Sequence, residues 1–154
     1  MKDYVVGFMF SEDKKDVVLM TKNRPEWQAG KINGLGGKAE DHDEAMAHAM
    51  AREFEEECGI KTNSEDWTEF CIIENEGLCN VHIFRAFSDK IYHAKTMEDE
   101  IVDVYPTDDL PKNMIFNLNW LINMCLDDKL VFDTPIHLME KRKVSKDYED
   151  RCNN

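Results

Sequence analysis

The sequence predicts an α/β protein built on a mixed β-sheet, and three observations carry that reading. Strand-like runs rich in Val, Ile, Phe, Leu and Met recur at residues 4–10, 16–22, 70–73, 81–87 and 101–105. A strong helix pattern interrupts them at about 43–58, and a second covers about 113–126. Strands divided by a long helix make a mixed sheet the natural arrangement.

Each element has a local reason. The polar stretch Ser11-Glu12-Asp13-Lys14-Lys15 separates the first two runs, which therefore read as an antiparallel hairpin. Residues 23–32, with Pro25 and Gly30, read as a long loop; Asn33-Gly34-Leu35-Gly36-Gly37 is too rich in glycine for a regular element. The first helix is rich in Ala, Met and Glu, begins near acidic residues and stops at Gly59. Glu76-Gly77 separates two later strands, and the acidic Glu98-Asp99-Glu100 precedes the last. In the second helix Ile115, Leu118, Leu121, Ile122 and Cys125 fall at helical spacing. A short hairpin is expected to pair 130–132 with 136–139 around Thr134-Pro135, followed by a charged tail that frays from about 141.

With 154 residues, 42% of them hydrophobic and 33% charged, the chain fits one globular domain spanning 1–154. A net charge of -13 disfavours duplex nucleic acid and anionic membrane surfaces, and an anionic substrate would need a cation to be accommodated. No run of eighteen apolar residues and no signal-peptide pattern is present, so a cytoplasmic protein is expected. Five cysteines, Cys58, Cys71, Cys79, Cys125 and Cys152, lack a C-x-x-C pair and read as small apolar residues rather than a disulfide framework or zinc site.

The chemistry is concentrated on the first helix. Glu53, Glu56 and Glu57 stand at i, i+3 and i+4, while Ala47, Met50, Ala51, Phe54 and Cys58 form a separate apolar stripe. Like charges at i, i+4 cost about 0.2–0.5 kcal/mol per pair, and carboxylates at a helix C-terminus oppose the macrodipole. A divalent cation would offset both. Hard oxygen donors without His or Cys select Mg2+ or Mn2+, and so phosphate chemistry. The glycine segment matches neither G-x-G-x-x-G nor a Walker loop.

From Gly37 to Ile60 the chain resembles the Nudix box, G-x5-E-x7-R-E-U-x-E-E-x-G-U with U apolar. Glu44, Arg52, Glu53, Phe54, Glu56, Glu57, Gly59 and Ile60 match it. Six residues rather than five separate Gly37 from Glu44, an extra residue expected in the loop before the helix. The resemblance implies an α/β/α sandwich that hydrolyses a nucleoside diphosphate linked to another group. It implies that Glu53, Glu56 and Glu57 bind Mg2+ or Mn2+, that Arg52 holds a catalytic glutamate and that the Gly37 carbonyl adds a ligand. It also gives Glu44 the bracing of the loop–helix junction, and Glu100, with Glu98 as fallback, a metal-binding or catalytic place. The general base is open among Glu56, Glu57 and the later-loop glutamate.

Residues 30–38 also resemble the G-x-W-N-G-x-G-G-K run of MutT-like enzymes acting on oxidised purine nucleoside triphosphates, with Ile32 in the place of Trp. Asn33 would contact the base, and Asn117 and Asn119 stand near places where carboxylates discriminate an oxidised base. Lys22, Arg24 and Lys38 flank the glycine segment and are candidates for the phosphates. Residues 75–79 lack the proline and tyrosine of ADP-ribose and diadenosine-polyphosphate members. A purine nucleoside triphosphate, oxidised or not, cut to monophosphate and pyrophosphate is therefore the expected reaction. Dinucleotide or nucleotide-sugar hydrolysis and a non-catalytic nucleotide sensor stay open, as does a homodimer.

Overall fold

Along the first strand, alternate residues enter different cores, and this sets the architecture. The computed structural model describes residues 1–141; the expected tail and Cys152 lie outside them. In β1 (Lys2–Phe10), Val5 and Met9 join one buried cluster while Phe8 and Phe10 join another. The pattern repeats in β2 (Asp16–Thr21), where Val18 and Met20 face the first cluster and Val17 and Leu19 the second. A sheet apolar on both faces needs a layer on each. Helix α1 (Met46–Cys58) supplies Met50 and Phe54 on one side, and α2 (Leu118–Leu126) supplies Leu118, Leu121 and Ile122 on the other. The result is the expected α/β/α sandwich with a mixed sheet.

β1 lies at the centre. It runs parallel to β6 (Cys79–Phe87) from Lys2↔Cys79 to Phe10↔Phe87, and antiparallel to β2 at its far end. Its near end pairs antiparallel with β4 (Leu35–Lys38), from Tyr4↔Lys38 to Gly7↔Leu35. β2 also pairs with the short β3 (Ile32–Asn33) and along its whole length with β7 (Ile101–Pro106). On the other side β6 pairs with β5 (Thr68–Asn75), which carries a bulge between Glu69 and Cys71.

Four expectations need correction. The glycine segment is regular structure after all, because bare backbone lets β4 lie against β1: a Cβ on Gly36 would stand 1.8 Å from the Val5 carbonyl oxygen. Helix α1 starts at Met46 rather than 43, since residues 40–43 close a turn through Asp43 N–H to the Glu40 carbonyl at 3.0 Å and Glu40 N–H to Asp43 Oδ2 at 2.8 Å. Helix α2 starts at Leu118 rather than 113, since the Asn113 carbonyl and the Ile115 N–H bond to Ile32 across the chain. Finally, β8 (Ile136–Glu140) pairs parallel with β5, not in a hairpin with 130–132; Phe132 instead packs on Phe70, with ring centroids 5.4 Å apart.

Cys58, Cys71 and Cys125 are buried free thiols; burial pushes Cys58 up to about 12 and Cys71 to about 11. Cys79 is buried in β6, where its Sγ accepts from Asn75 Nδ2 at 3.3 Å. Among the described residues no helix is long and apolar enough to cross a membrane.

Candidate active site

The Gly59 backbone, at φ +80, ends α1 in the left-handed conformation and donates its N–H to the Glu55 carbonyl at 2.8 Å. The acidic last turns of α1 lie against β4. Gly36 N–H donates to Glu57 Oε1 at 2.8 Å, and a Cβ on Gly37 would meet the Glu53 carboxylate at 2.6 Å. Glycine is needed at 37 so that strand and carboxylate can lie in contact.

Arg52 is the hub of the helix. Its Nε and Nη2 donate to the two oxygens of Asp43 at 3.0 and 2.9 Å, Nη2 also to the Lys38 carbonyl at 3.2 Å. Its Nη1 donates to Glu53 Oε1 at 3.1 Å and reaches Glu56 at 3.4 Å. The bidentate bond from Arg52 holds the Asp43 carboxyl below the usual carboxylate range, and Asp43 in turn raises the guanidinium. The bracing role expected of Glu44 belongs to Asp43. The Glu44 side chain is 85% exposed and faces His48 at 3.7 Å. The extra residue therefore lies after the bracing acid, not before it, and Gly37 keeps its place.

Glu53 and Glu57 differ from Glu56. Burial pushes Glu57 up to about 8 despite the opposing field of Lys22, and burial raises Glu53 against the pull of Arg52. Glu56 is half exposed and lies outside the cavity that Glu53 and Glu57 line. The single helical face expected for the three carboxylates is thus divided, with Glu57 turned into the protein.

That cavity has a volume of about 330 Å³. Its lining combines four carboxylates, Glu53, Glu57, Glu98 and Glu100, and the glycines Gly36 and Gly37 with apolar side chains of the core on the α2 side, among them Ile73, Ile83, Ile115 and Leu121. Glu100 is buried and accepts from Lys22 Nζ at 2.8 Å and from Asn23 N–H at 2.6 Å. Lys22, Arg24 and Lys38 all line the cavity; Arg24 is exposed at its rim, 3.8 Å from Asp99. Asn33 lines it too, with Nδ2 donating to Gln28 Oε1 at 3.2 Å and Oδ1 accepting from Gly34 N–H at 2.8 Å.

Asn117 and Asn119 part company. Asn117 lines the cavity beside α2, and its Oδ1 is buried with no hydrogen-bond partner among the described residues. Asn119 is exposed on α2, outside the lining, and bonds to the Phe116 carbonyl at 2.9 Å. The sequence reading missed Asn23, Asp43, Trp27, Gln28, Asn75 and Glu140. The first two adjoin residues it named, whereas Asn75 is placed by the β5–β6 pairing and Glu140 by the β5–β8 pairing.

The fold and this arrangement invite comparison with known proteins. The sequence profile of the NUDIX domain matches residues 1–121. The chain belongs to the Nudix family. No curated protein sequence matches it significantly. Among solved structures it resembles the mMutator MutT protein of Bacillus halodurans at 19% identity, covering 97% of this chain and 94% of that one with a TM-score of 0.65. The MutT NUDIX hydrolase of Burkholderia pseudomallei matches at 20% identity over 79% and 95% of the two chains, TM-score 0.64. The NUDIX domain of Shewanella oneidensis NrtR, solved with ADP ribose, matches at 17% over 79% and 83%, TM-score 0.64. At these identities the likeness is one of fold. As a member of its family the Nudix chain is a pyrophosphohydrolase acting on a nucleotide-like substrate.

Proposed function

We propose that this Nudix hydrolase cleaves a purine nucleoside triphosphate, oxidised or not, to monophosphate and pyrophosphate with the help of Mg2+ or Mn2+. The observation that carries the reading is one cavity whose lining joins four carboxylates to apolar walls and amides. Its volume falls in the range of small-molecule sites. Phosphates belong beside the carboxylates only if cations accompany them, and a base suits the apolar walls and amides.

The donor set has the chemistry of a magnesium site: hard oxygens from Glu53, Glu57, Glu98 and Glu100 line the cavity with Gly37, and Glu56 lies outside it. Among the described residues no three acidic or metal-binding side chains converge closely enough to hold an ion as they stand. The excess of desolvated carboxylate is what calls for a cation, since Lys22 and Arg52 leave Glu57 and Glu53 raised. When bound, such an ion neutralises phosphate charge and lowers the pKa of an attacking water. Arg52, locked on Asp43, fixes Glu53 against β4; Gly36 N–H fixes Glu57. Of the three candidate bases, Glu57 and Glu100 face the cavity.

Asn33 and Asn117 line the cavity, and an amide can both donate to and accept from a base edge. A matched purine would satisfy them, and a pyrimidine would leave polar groups unpaired. The test is kcat/KM with Mg2+ for canonical and oxidised nucleoside triphosphates, ADP-ribose, diadenosine polyphosphates, FAD and NADH. Purine triphosphates should lead. A wide lead for ADP-ribose or a dinucleotide would discard the substrate while leaving the family intact, and thermal stabilisation by nucleotide without product would mark a binding module. Glu57→Gln should lower kcat by about 10²–10⁴-fold, and Glu56→Gln by less.

A further inference from the structure

β2 ends at Thr21, and the next two residues face the acidic loop that enters β7. Three bonds join them. Lys22 Nζ donates to Glu100 Oε1 at 2.8 Å, Asn23 N–H donates to Glu100 Oε2 at 2.6 Å, and Asn23 Nδ2 donates to the Asp99 carbonyl at 3.2 Å. The ammonium and its carboxylate are largely withdrawn from water, at 17% and 10% exposed. Lys22 also lies in the field of Glu57. Arg52 is committed to Asp43, Glu53 and Glu56, and Arg24 sits at the rim on Asp99.

The bonds on Glu100 are of two kinds. Those from Asn23 bind it and its neighbour Asp99 to the end of β2, one of them through backbone, so the loop keeps its place whatever Lys22 does. The bond from Lys22 ends on a compact charge at the tip of a flexible four-carbon stem, and that tip can move. A divalent cation held by Glu57 or Glu100 would set two positive charges a few Å from the ammonium, in a place where screening is weak. The two do not share the cluster comfortably.

We infer that the Lys22 ammonium is an exchangeable counter-ion of the carboxylate cluster: it balances Glu57 and Glu100 while the protein is free of metal, gives way when a divalent cation binds, and is then released to the substrate phosphates. The inference rests on the metal-dependent reading above. Lys22 lines the same cavity, so its tip needs no path through the protein to reach a phosphate. Metal binding and phosphate binding then reinforce one another. A fixed brace of Glu100 would act in the opposite sense, since its removal would loosen a ligand.

Two measurements separate these roles, neither of them turnover. In the wild-type protein, lysines are acylated with and without Mg2+ in the absence of nucleotide and mapped by mass spectrometry. Lys22 modification should rise at least about threefold with Mg2+ while exposed Lys61 and Lys112 stay constant. Separately, Mn2+ affinity is measured by electron paramagnetic resonance of the free ion. Lys22→Met should bind about tenfold tighter than wild type, and Lys22→Arg, which keeps the charge, about as wild type. Unchanged or reduced Lys22 modification in a protein that binds Mn2+ overturns the inference, as does weaker or equal Mn2+ binding by Lys22→Met. Wild-type protein that binds no Mn2+ overturns the metal reading itself. Should Lys22→Met fail to fold, the acylation experiment decides alone.

Discussion

Arg52 presents five N–H donors in a fixed fork, and two of them meet Asp43 in a bidentate bond that is only 5% exposed on the acid's side. Replacing Asp43 by Ala leaves a half-buried guanidinium short of its best acceptor and frees the turn at 40–43. Urea denaturation should show a loss of about 2 kcal/mol for Asp43→Ala, against a change within about 0.5 kcal/mol for Glu44→Ala. The pH dependence has a definite sign. Because Arg52 lowers the Asp43 carboxyl in the folded protein, its contribution is present above the unfolded value and is lost as pH falls through the folded one. The deficit of Asp43→Ala should therefore shrink in acid. Counting letters backward from Arg52 lands on Glu44, which is why the sequence favours the neighbour. Only the turn that delays the helix to Met46 shows which acid lies beside the guanidinium.

Elements were legible in proportion to how locally they are determined. The apolar stripe and Gly59 mark α1 from within its own sequence, and the runs of β1 and β6 carry their own pattern. The start of α2 is hidden because the bonds that prevent an earlier turn go to Ile32, some eighty residues away. β4 is hidden because glycine has poor intrinsic strand propensity; it is chosen there for what it must avoid touching. The cavity residue from β8, Glu140, depends on a parallel register with β5 that no local signal encodes. The box glutamates could be placed because one helix carries them all, while the depth of each could not. Gly37→Ala tests the contact between elements: its methyl would occupy the space of the Glu53 carboxylate. A misplacement on the scale of 1 Å should cost about 10²-fold in kcat/KM and raise the Mg2+ concentration needed for half-maximal rate. Gly77→Ala, strained at φ +73 but with nothing near its Cβ, should lower stability and leave the Mg2+ requirement unchanged.

At the scale of the whole molecule, the sheet is sewn across its centre by a charge cluster outside the active site. His82 on β6 places Nε2 2.9 Å from Asp3 Oδ1 on β1 and Nδ1 3.0 Å from Glu69 Oε1 on β5. Only the doubly protonated ring donates to both carboxylates. Burial pulls the imidazole down, yet the bonds and charges of Glu69 and Asp3 outweigh it and carry His82 above its ordinary value of 6.5. A folded value above the unfolded one means the protein gains stability from this proton. The gain is complete below the unfolded value and disappears as pH rises through the folded value. Wild type and His82→Gln should consequently differ most in unfolding free energy below the ordinary value of 6.5 and converge as pH rises through the folded value, as read by urea titration at each pH. Gln retains one donor for one of the two acids, so the comparison removes charge more than shape. A difference that grew with rising pH would show that His82 stabilises the strands as a neutral ring, and the three-strand suture would then have to be assigned to packing rather than to charge.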